Sequence, residues 1–172
     1  EMKLLKENNE KDIGEGFVES FTEPYFLRKA ARAVLLNDKN EVAFQYVSKH
    51  TYHKLPGGGV DEGETIEEAV KREILEEVGC DSVIGDEIGI IIEYRDKYKT
   101  LQISYCYFAK VKGEIGKTNY ESKEMEEGHQ PLWTALDDAI ERIKNDTTDD
   151  YEGKFITVRD LAFLEEVRRI YS

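Results

Sequence analysis

The chain has 172 residues, of which 40% are hydrophobic and 10% aromatic, values typical of one globular domain and not of a disordered segment. Its formal net charge of −13 disfavours nucleic acid and anionic membranes as main partners, because the long-range field repels both. A small polyphosphate substrate remains compatible with this charge, since such a substrate can arrive with its own Mg²⁺.

Cysteine usage and hydropathy indicate the compartment. Cys80 and Cys106 lie in apolar runs and match neither a disulfide framework nor a zinc pattern, so we interpret them as buried free thiols. No apolar run approaches the length of a membrane span, and the charged start EMKLLKENNEKD is unlike a signal peptide. These features predict a cytoplasmic protein with no membrane partner.

An N-terminal extension and a hairpin are the first elements predicted along the chain. Residues 1–27, with apolar positions such as Phe17 and Phe21, are predicted to add a strand or two that packs on the domain or on the second subunit of a homodimer. A single domain is predicted over residues 28–172. It starts with two strands, AARAVLLND and the segment from Glu41 to Val47, which form a hairpin.

A polar loop at residues 49–54 follows and contains His50 and His53. Both could bind a metal, but exposed loop histidines more often have no such role. Leu55-Pro56 then leads into a glycine turn.

The segment GGGVDEGETIEEAVKREILEEVGC, residues 57–80, predicts that turn and one helix. Thr65 and Glu68 have the spacing of a capping box, which satisfies backbone N–H groups at a helix start. Gly79 is suited to the left-handed conformation that ends a helix. Apolar residues recur every four positions from Ile66 and predict a buried stripe.

Three carboxylates of this helix, Glu73, Glu76 and Glu77, follow i, i+3, i+4 spacing and share one face. Acidic helix faces are most often simply solvated. The alternative is a divalent cation, because carboxylates this close repel one another without one and Mg²⁺ prefers oxygen ligands. Residues 58–80 hold eight acids and two bases, so they contribute −6 of the net charge of −13.

Strands are predicted before, between and after the helices of the chain, which indicates an α/β protein. The predicted elements are strands at 83–95 and 100–111 around a turn at 96–99, a long loop at 112–130, a strand at 131–133, a helix from 134 with Leu136, Ile140 and Ile143 on one face, an acidic loop at 145–153, and a last helix from about Val158.

Gly58, Glu64 and Arg72, followed by the three carboxylates and Gly79, occur at fixed separations. This pattern resembles the Nudix box, the motif of the Nudix hydrolases, which cleave nucleoside diphosphates linked to another group. Cys80 departs from the bulky aliphatic residue usual at its position. The resemblance covers roughly residues 28–144 and implies a Nudix fold, a mixed, curved β-sheet sandwiched between α-helices.

The resemblance also implies a site for Mg²⁺ or Mn²⁺. Glu76 and Glu77 match the leading metal ligands, and the carbonyl of Gly57 resembles the family's backbone ligand. Glu73 is either a further ligand or the base that deprotonates water, since members of the family differ in this respect.

Two further residues of the motif, Glu64 and Arg72, match positions that orient the carboxylates. Arg72 can also pair with Glu68 or Glu76 through i±4 spacing. Family members often add an acid from a loop just before a strand with a tryptophan. Glu127, six residues before Trp133, is the favoured counterpart here as an extra ligand or base, with Glu124 and Glu126 as competitors.

Substrate choice is less defined. Some relatives carry phosphate-binding arginines after the second strand, but residues 46–50 read YVSKH, so Lys49, Arg28 or Arg32 would have to replace them. Tyr98 falls where dinucleoside polyphosphate hydrolases carry a tyrosine. The strand aromatics could stack on a base, although they are more often core: Phe44, Tyr46, Tyr105 and Tyr107.

The sequence therefore predicts a metal-dependent hydrolase that cleaves a pyrophosphate bond in a small nucleoside di- or triphosphate or nucleoside diphosphate derivative and releases a nucleoside monophosphate. Two alternatives stay open. One is a non-catalytic nucleotide-sensing module that keeps the fold, and the other is an interaction domain with a structural acidic helix.

Overall fold

The computed structural model describes residues 1–16 and 23–171, and these ranges contain both strands and helices. The strands are β1 Leu4–Asn8, β2 Phe26–Leu36, β3 Val42–Val47, β4 Tyr52–Lys54, β5 Gly57–Gly59, β6 Asp81–Arg95, β7 Thr100–Lys112 and β8 His129–Thr134. The helices are α1 Ile66–Val78, α2 Ser122–Glu127, α3 Leu136–Lys144 and α4 Tyr151–Tyr171. The predicted α/β class is confirmed.

The strands of the described segments form one mixed sheet with the order β1-β6-β7-β2-β3-β4. The pairs β1–β6 and β2–β7 are parallel, and β6–β7, β2–β3 and β3–β4 are antiparallel. β5 pairs with β2, and β8 pairs with β3. The predicted hairpin of β2 and β3 is confirmed by the pairing of Leu36 with Val42.

Helices cover both faces of the sheet. Alternate side chains of β2 point to opposite faces, and each face packs against a different helix. Ala31 and Ala33 pack with Ile74 of α1 in one core cluster. Val34 packs with Phe163 of α4 in the other cluster, which also includes residues of α3. The helix–sheet–helix arrangement is the one that the Nudix resemblance implies.

Helix α1 begins and ends where the sequence predicts. The Thr65 hydroxyl accepts a hydrogen bond from the Glu68 N–H at 3.2 Å, and the Glu68 carboxylate accepts one from the Thr65 N–H at 2.8 Å. Gly79 closes the helix with φ of +79°, a conformation that glycine adopts without a steric penalty. These caps set the two ends of α1.

The predicted loop at 112–130 is wrong in its second half, which contains α2 and the first residues of β8. A six-residue helix is too short to show an apolar period. Its ends are nevertheless encoded, because Glu121 and Glu124 form a capping box and Gly128 adopts φ of +71°.

Helix α4 starts at Tyr151 instead of about residue 158. Its first turns are buried through Tyr151 and Phe155, which lie four residues apart. Gly153, a poor helix former, obscures this start in the sequence. The glycine is needed because a Cβ there would lie 2.8 Å from the ring of Tyr52.

The N-terminal strand β1 extends the sheet by pairing with β6. The predicted contribution of Phe17 and Phe21 falls outside the described residues. No helix in residues 1–16 and 23–171 is both long enough and apolar enough to span a membrane.

Candidate active site

A cavity of about 530 Å³ opens beside the glycine strand β5 and the buried face of α1. This volume lies in the range of small-molecule sites. The charged side chains that line it are Arg28, Arg32, Lys54, Asp61, Arg72, Glu73, Arg95, Glu121, Lys123, Glu124, Glu127, His129 and Glu152.

The predicted carboxylates of α1 differ in exposure. Glu77 is fully buried and Glu73 is 6% exposed, whereas Glu76 lies at the edge and is partly exposed. Burial raises the pKa of all three carboxyls, and the charge of Glu77 raises the pKa of Glu73 further. A cation placed among them would offset both effects.

The glycines of β5 allow the backbone to touch these carboxylates. The Gly57 N–H donates to Glu77 Oε2 at 2.6 Å. A Cβ on Gly58 would lie 2.2 Å from Glu73 Oε1, and a Cβ on Gly57 would lie 2.1 Å from the carbonyl oxygen of Ala31. Any side chain at Gly57 or Gly58 would therefore displace the carboxylates or the strand.

Arg72 links the carboxylates to β5. Its guanidinium donates to both oxygens of Glu64 at 2.9 and 3.0 Å and to the Gly59 carbonyl at 2.9 Å. It also donates to Glu73 at 2.9 Å and to Glu76 at 3.3 Å. The bidentate contact lowers the pKa of Glu64 and raises that of Arg72.

Lys54 brings a cation to two predicted metal ligands. Its ammonium donates to Glu77 Oε1 at 3.1 Å and to the carbonyl oxygen of Gly57 at 3.4 Å. The Gly57 carbonyl and the Glu77 carboxylate thus converge on one positive charge. Such a set of hard oxygen donors fits Mg²⁺ or Mn²⁺.

An acid from α2 and a histidine from β8 reach the same carboxylate. One ligand atom each of Glu77, Glu124 and His129 lies within 4.8 Å of the others. Glu127, the acid favoured by the sequence, is not in this group. It lies 3.2 Å from His129 Nε2 and 3.7 Å from the ammonium of Lys123.

Arginines occupy another part of the cavity wall. Arg28 donates to Gln102. Arg32 is 4% exposed, and burial lowers its pKa to about 10. The Nε atoms of Arg32 and Arg95 are buried without a hydrogen-bond partner among the residues that the structure describes. Arg32 and Arg95 therefore each keep one donor that the described residues leave unpaired.

The sequence prediction offered Lys49, Arg28 or Arg32 as phosphate-binding residues, and the last two line the cavity. Tyr98 also lines it and is 52% exposed. Phe44 is fully buried in the core. His53 does not line this cavity, and its Nδ1 lies 2.9 Å from Asp146 Oδ1.

The sequence prediction omits Lys54 and His129 from the site and ranks Glu124 below Glu127. A cation three residues before the Gly57 turn was a usable signal for Lys54. His129 had no such signal, because its place in the site depends on how β8 pairs with β3.

A family model described as NUDIX domain matches residues 26–156. A Bacillus subtilis (strain 168) protein, provisionally named 8-oxo-dGTP diphosphatase, is 28% identical over 143 residues, which are 81% of this chain and 92% of that protein. A NUDIX hydrolase from Nitrosomonas europaea superposes with a TM-score of 0.62 at 18% identity, covering 86% of this chain and 90% of its own. A MutT protein from Methanosarcina mazei Go1 superposes with a TM-score of 0.58 at 21% identity, covering 89% of this chain and 100% of its own. Such low identities show the fold alone.

Proposed function

The chain belongs to the Nudix family of pyrophosphohydrolases, and we propose that it hydrolyses a phosphoric anhydride bond in a small nucleoside di- or triphosphate or nucleoside diphosphate derivative. The products are a nucleoside monophosphate and the remaining phosphate part. The proposed cofactor is Mg²⁺ or Mn²⁺, held by Glu73, Glu76, Glu77 and the carbonyl of Gly57, with Glu127 as a further ligand or base.

The observation that carries this proposal is the double lining of one cavity. Glu73 and the glycine strand lie next to Arg28 and Arg32, which have charge of the opposite sign. Carboxylates alone would repel a polyphosphate, and arginines alone would give no reason to bury Glu73 and Glu77. A polyphosphate together with a divalent cation satisfies both parts of the lining.

The proposed reaction joins the oxygen of water to one phosphorus while the bond from that phosphorus to the bridging oxygen breaks. The bridging oxygen leaves with its electron pair on the departing phosphate, and the water proton passes to a carboxylate. The bound cation supplies neutralisation of the phosphate charge and a lower pKa for water. Arg28 and Arg32 hold the phosphate oxygens by charge-assisted hydrogen bonds.

Within this scheme Glu73 is the proposed base or a further ligand, and Arg72 and Glu64 are positioning residues. Arg72 holds Glu73 Oε1 at 2.9 Å while Glu64 fixes the guanidinium from the other side. This contact occupies Oε1 of Glu73, a residue that lines the cavity. Loss of Arg72 would therefore misplace Glu73 without removing its charge.

A nucleoside triphosphate is the first substrate to test, because the name of the Bacillus subtilis relative refers to such a nucleotide. Tyr98, exposed in the cavity wall, is the proposed partner of the base. We also propose a cytoplasmic location and action on free nucleotides, in keeping with the net charge of −13.

The test is a panel of nucleoside triphosphates, dinucleoside polyphosphates and nucleoside diphosphate sugars, incubated with Mg²⁺ or Mn²⁺ and followed by product identification. Wild type should release a nucleoside monophosphate from at least one compound, and Glu76→Gln should lose this activity. Glu67→Gln, an exposed carboxylate on the same helix, is the control that should stay active. Full activity in Glu76→Gln would refute the metal assignment, and binding without turnover would favour a sensing module.

A further inference from the structure

The group formed by Glu77, Glu124 and His129 has a nitrogen donor that the helix carboxylates lack. The residues come from α1, α2 and β8, and one ligand atom of each lies within 4.8 Å of the other two. That spacing is short enough for one ion to contact all three. Two oxygens and one imidazole nitrogen suit first-row transition metals better than Mg²⁺.

The His129 side chain is only 3% exposed, and its two ring nitrogens have different surroundings. Nε2 lies 3.2 Å from Glu127 Oε2, whereas Nδ1 is buried with no hydrogen-bond partner in the described part of the chain. A carboxylate acceptor favours the proton on Nε2 and leaves a lone pair on Nδ1. A buried acceptor without a partner is unfavourable, and a bound metal ion would satisfy it.

Packing alone does not account for this arrangement. His129 makes an edge contact with the ring of Tyr120, with centroids 5.8 Å apart, which explains why an aromatic ring is buried there. It does not explain two carboxylates beside the ring or an unpaired nitrogen. An imidazole that donates one ring N–H to a carboxylate while its other ring nitrogen binds a metal is a recurrent arrangement in proteins.

We propose that Glu77, Glu124 and His129 form a binding site for a transition-metal ion of the Mn²⁺ to Zn²⁺ series, with the imidazole of His129 as the nitrogen ligand. In this arrangement Glu127, proposed above as a further ligand or base, acts instead as the positioning residue that holds the ring. The inference deepens the proposed function, because Glu77 is shared with the carboxylates of α1. Lys54 donates to Glu77 Oε1 at 3.1 Å, so we expect its ammonium to shift when the ion binds to this carboxylate.

The test is the electron spin echo envelope of the Mn²⁺-loaded full chain, which detects a ¹⁴N nucleus bound to the ion. Wild type should give imidazole nitrogen modulation that changes when the protein is labelled with ¹⁵N-histidine. His129→Gln should lose the modulation and bind Mn²⁺ at least tenfold more weakly while Mg²⁺ affinity stays the same. The control is His50→Gln, which should retain the modulation because His50 is partly exposed and lies 3.8 Å from Asp150.

Bound Mn²⁺ without nitrogen modulation in the wild type would overturn the inference, and this outcome does not depend on how any variant folds. Modulation that persists in His129→Gln would overturn it as well. Hydrolysis with Mg²⁺ is measured on the same samples and separates the two proposals. Activity without modulation removes only the nitrogen ligand, and modulation without activity removes only the proposed function.

Discussion

The two walls that meet at Glu77 are built in different ways. The α1 wall comprises residues 57–77, and its contacts join residues close in sequence, such as Arg72 with Glu64. The α2–β8 wall comprises residues 119–129 and reaches Glu77 across more than 40 positions of the chain. The first wall is therefore largely determined by local sequence, and the second by tertiary packing.

The second wall is attached to the first at the end of α1. The Asn119 N–H donates to the Glu76 carbonyl at 2.6 Å, and the Gly116 N–H donates to the Gly79 carbonyl at 2.7 Å. These bonds use carbonyls that a helix end leaves without partners. Helix α1 therefore anchors the segment that leads into α2 and also supplies carboxylates to the site.

Gly58→Ala tests how tightly the backbone of β5 packs against Glu73, and its expected effect is the largest among the three variants Gly58→Ala, Glu127→Gln and Glu73→Gln. The new methyl group would overlap the Glu73 carboxylate, which is the movable end of a side chain, so the fold should survive while Glu73 shifts. A displacement of about 1 Å at a reacting group lowers rates about 10²-fold. The measurement is kcat/KM on the best substrate of the panel.

Gly16→Ala is the matched control, because a Cβ there meets nothing within 4 Å. Its kcat/KM should equal that of the wild type. Equal activity of Gly58→Ala and wild type would mean that the position of Glu73 does not matter for catalysis.

The sequence predicts the α1 wall well because each of its parts has a local physical cause. The Thr65 cap, the Gly79 stop and the carboxylate spacing all follow from helix geometry. The same reasoning fails for His129, which belongs to the site only because β8 pairs with β3. It also fails for α4, whose first buried turns are concealed by Gly153 and the acids before it.

Glu127→Gln tests whether the second wall positions His129, with an intermediate expected effect. The amide keeps the shape of the side chain but weakens its hydrogen bond with the imidazole, so we expect about a tenfold loss of Mn²⁺ affinity. Titration calorimetry measures this loss. Glu126→Gln, an exposed neighbour on α2, should bind Mn²⁺ as the wild type does. A fall in kcat with unchanged Mn²⁺ affinity would instead indicate that Glu127 acts as a base.

Glu73→Gln has the smallest expected effect, on the stability of the metal-free chain, and it connects the α1 wall to pH. Burial first, and then the charge of Glu77, raise the pKa of Glu73 in the folded state. As the pH rises above about 4.3, the usual pKa of glutamate, the unfolded chain releases this proton before the folded chain does, so the wild type loses stability. The neutral glutamine removes that loss.

The variant should therefore melt at a higher temperature than the wild type at pH 7, and the gap should narrow as the pH approaches 4. For a chain of this size, each 1 kcal/mol of stability corresponds to roughly 2–4 °C in Tm. Calorimetry in the presence of a chelator measures the gap, and saturating Mn²⁺ should reverse its sign, because the ion stabilises the folded wild type more than the variant. A gap that does not change with pH would show that the buried Glu73 charge does not destabilise the metal-free fold, and that the α1 wall needs no cation to offset it.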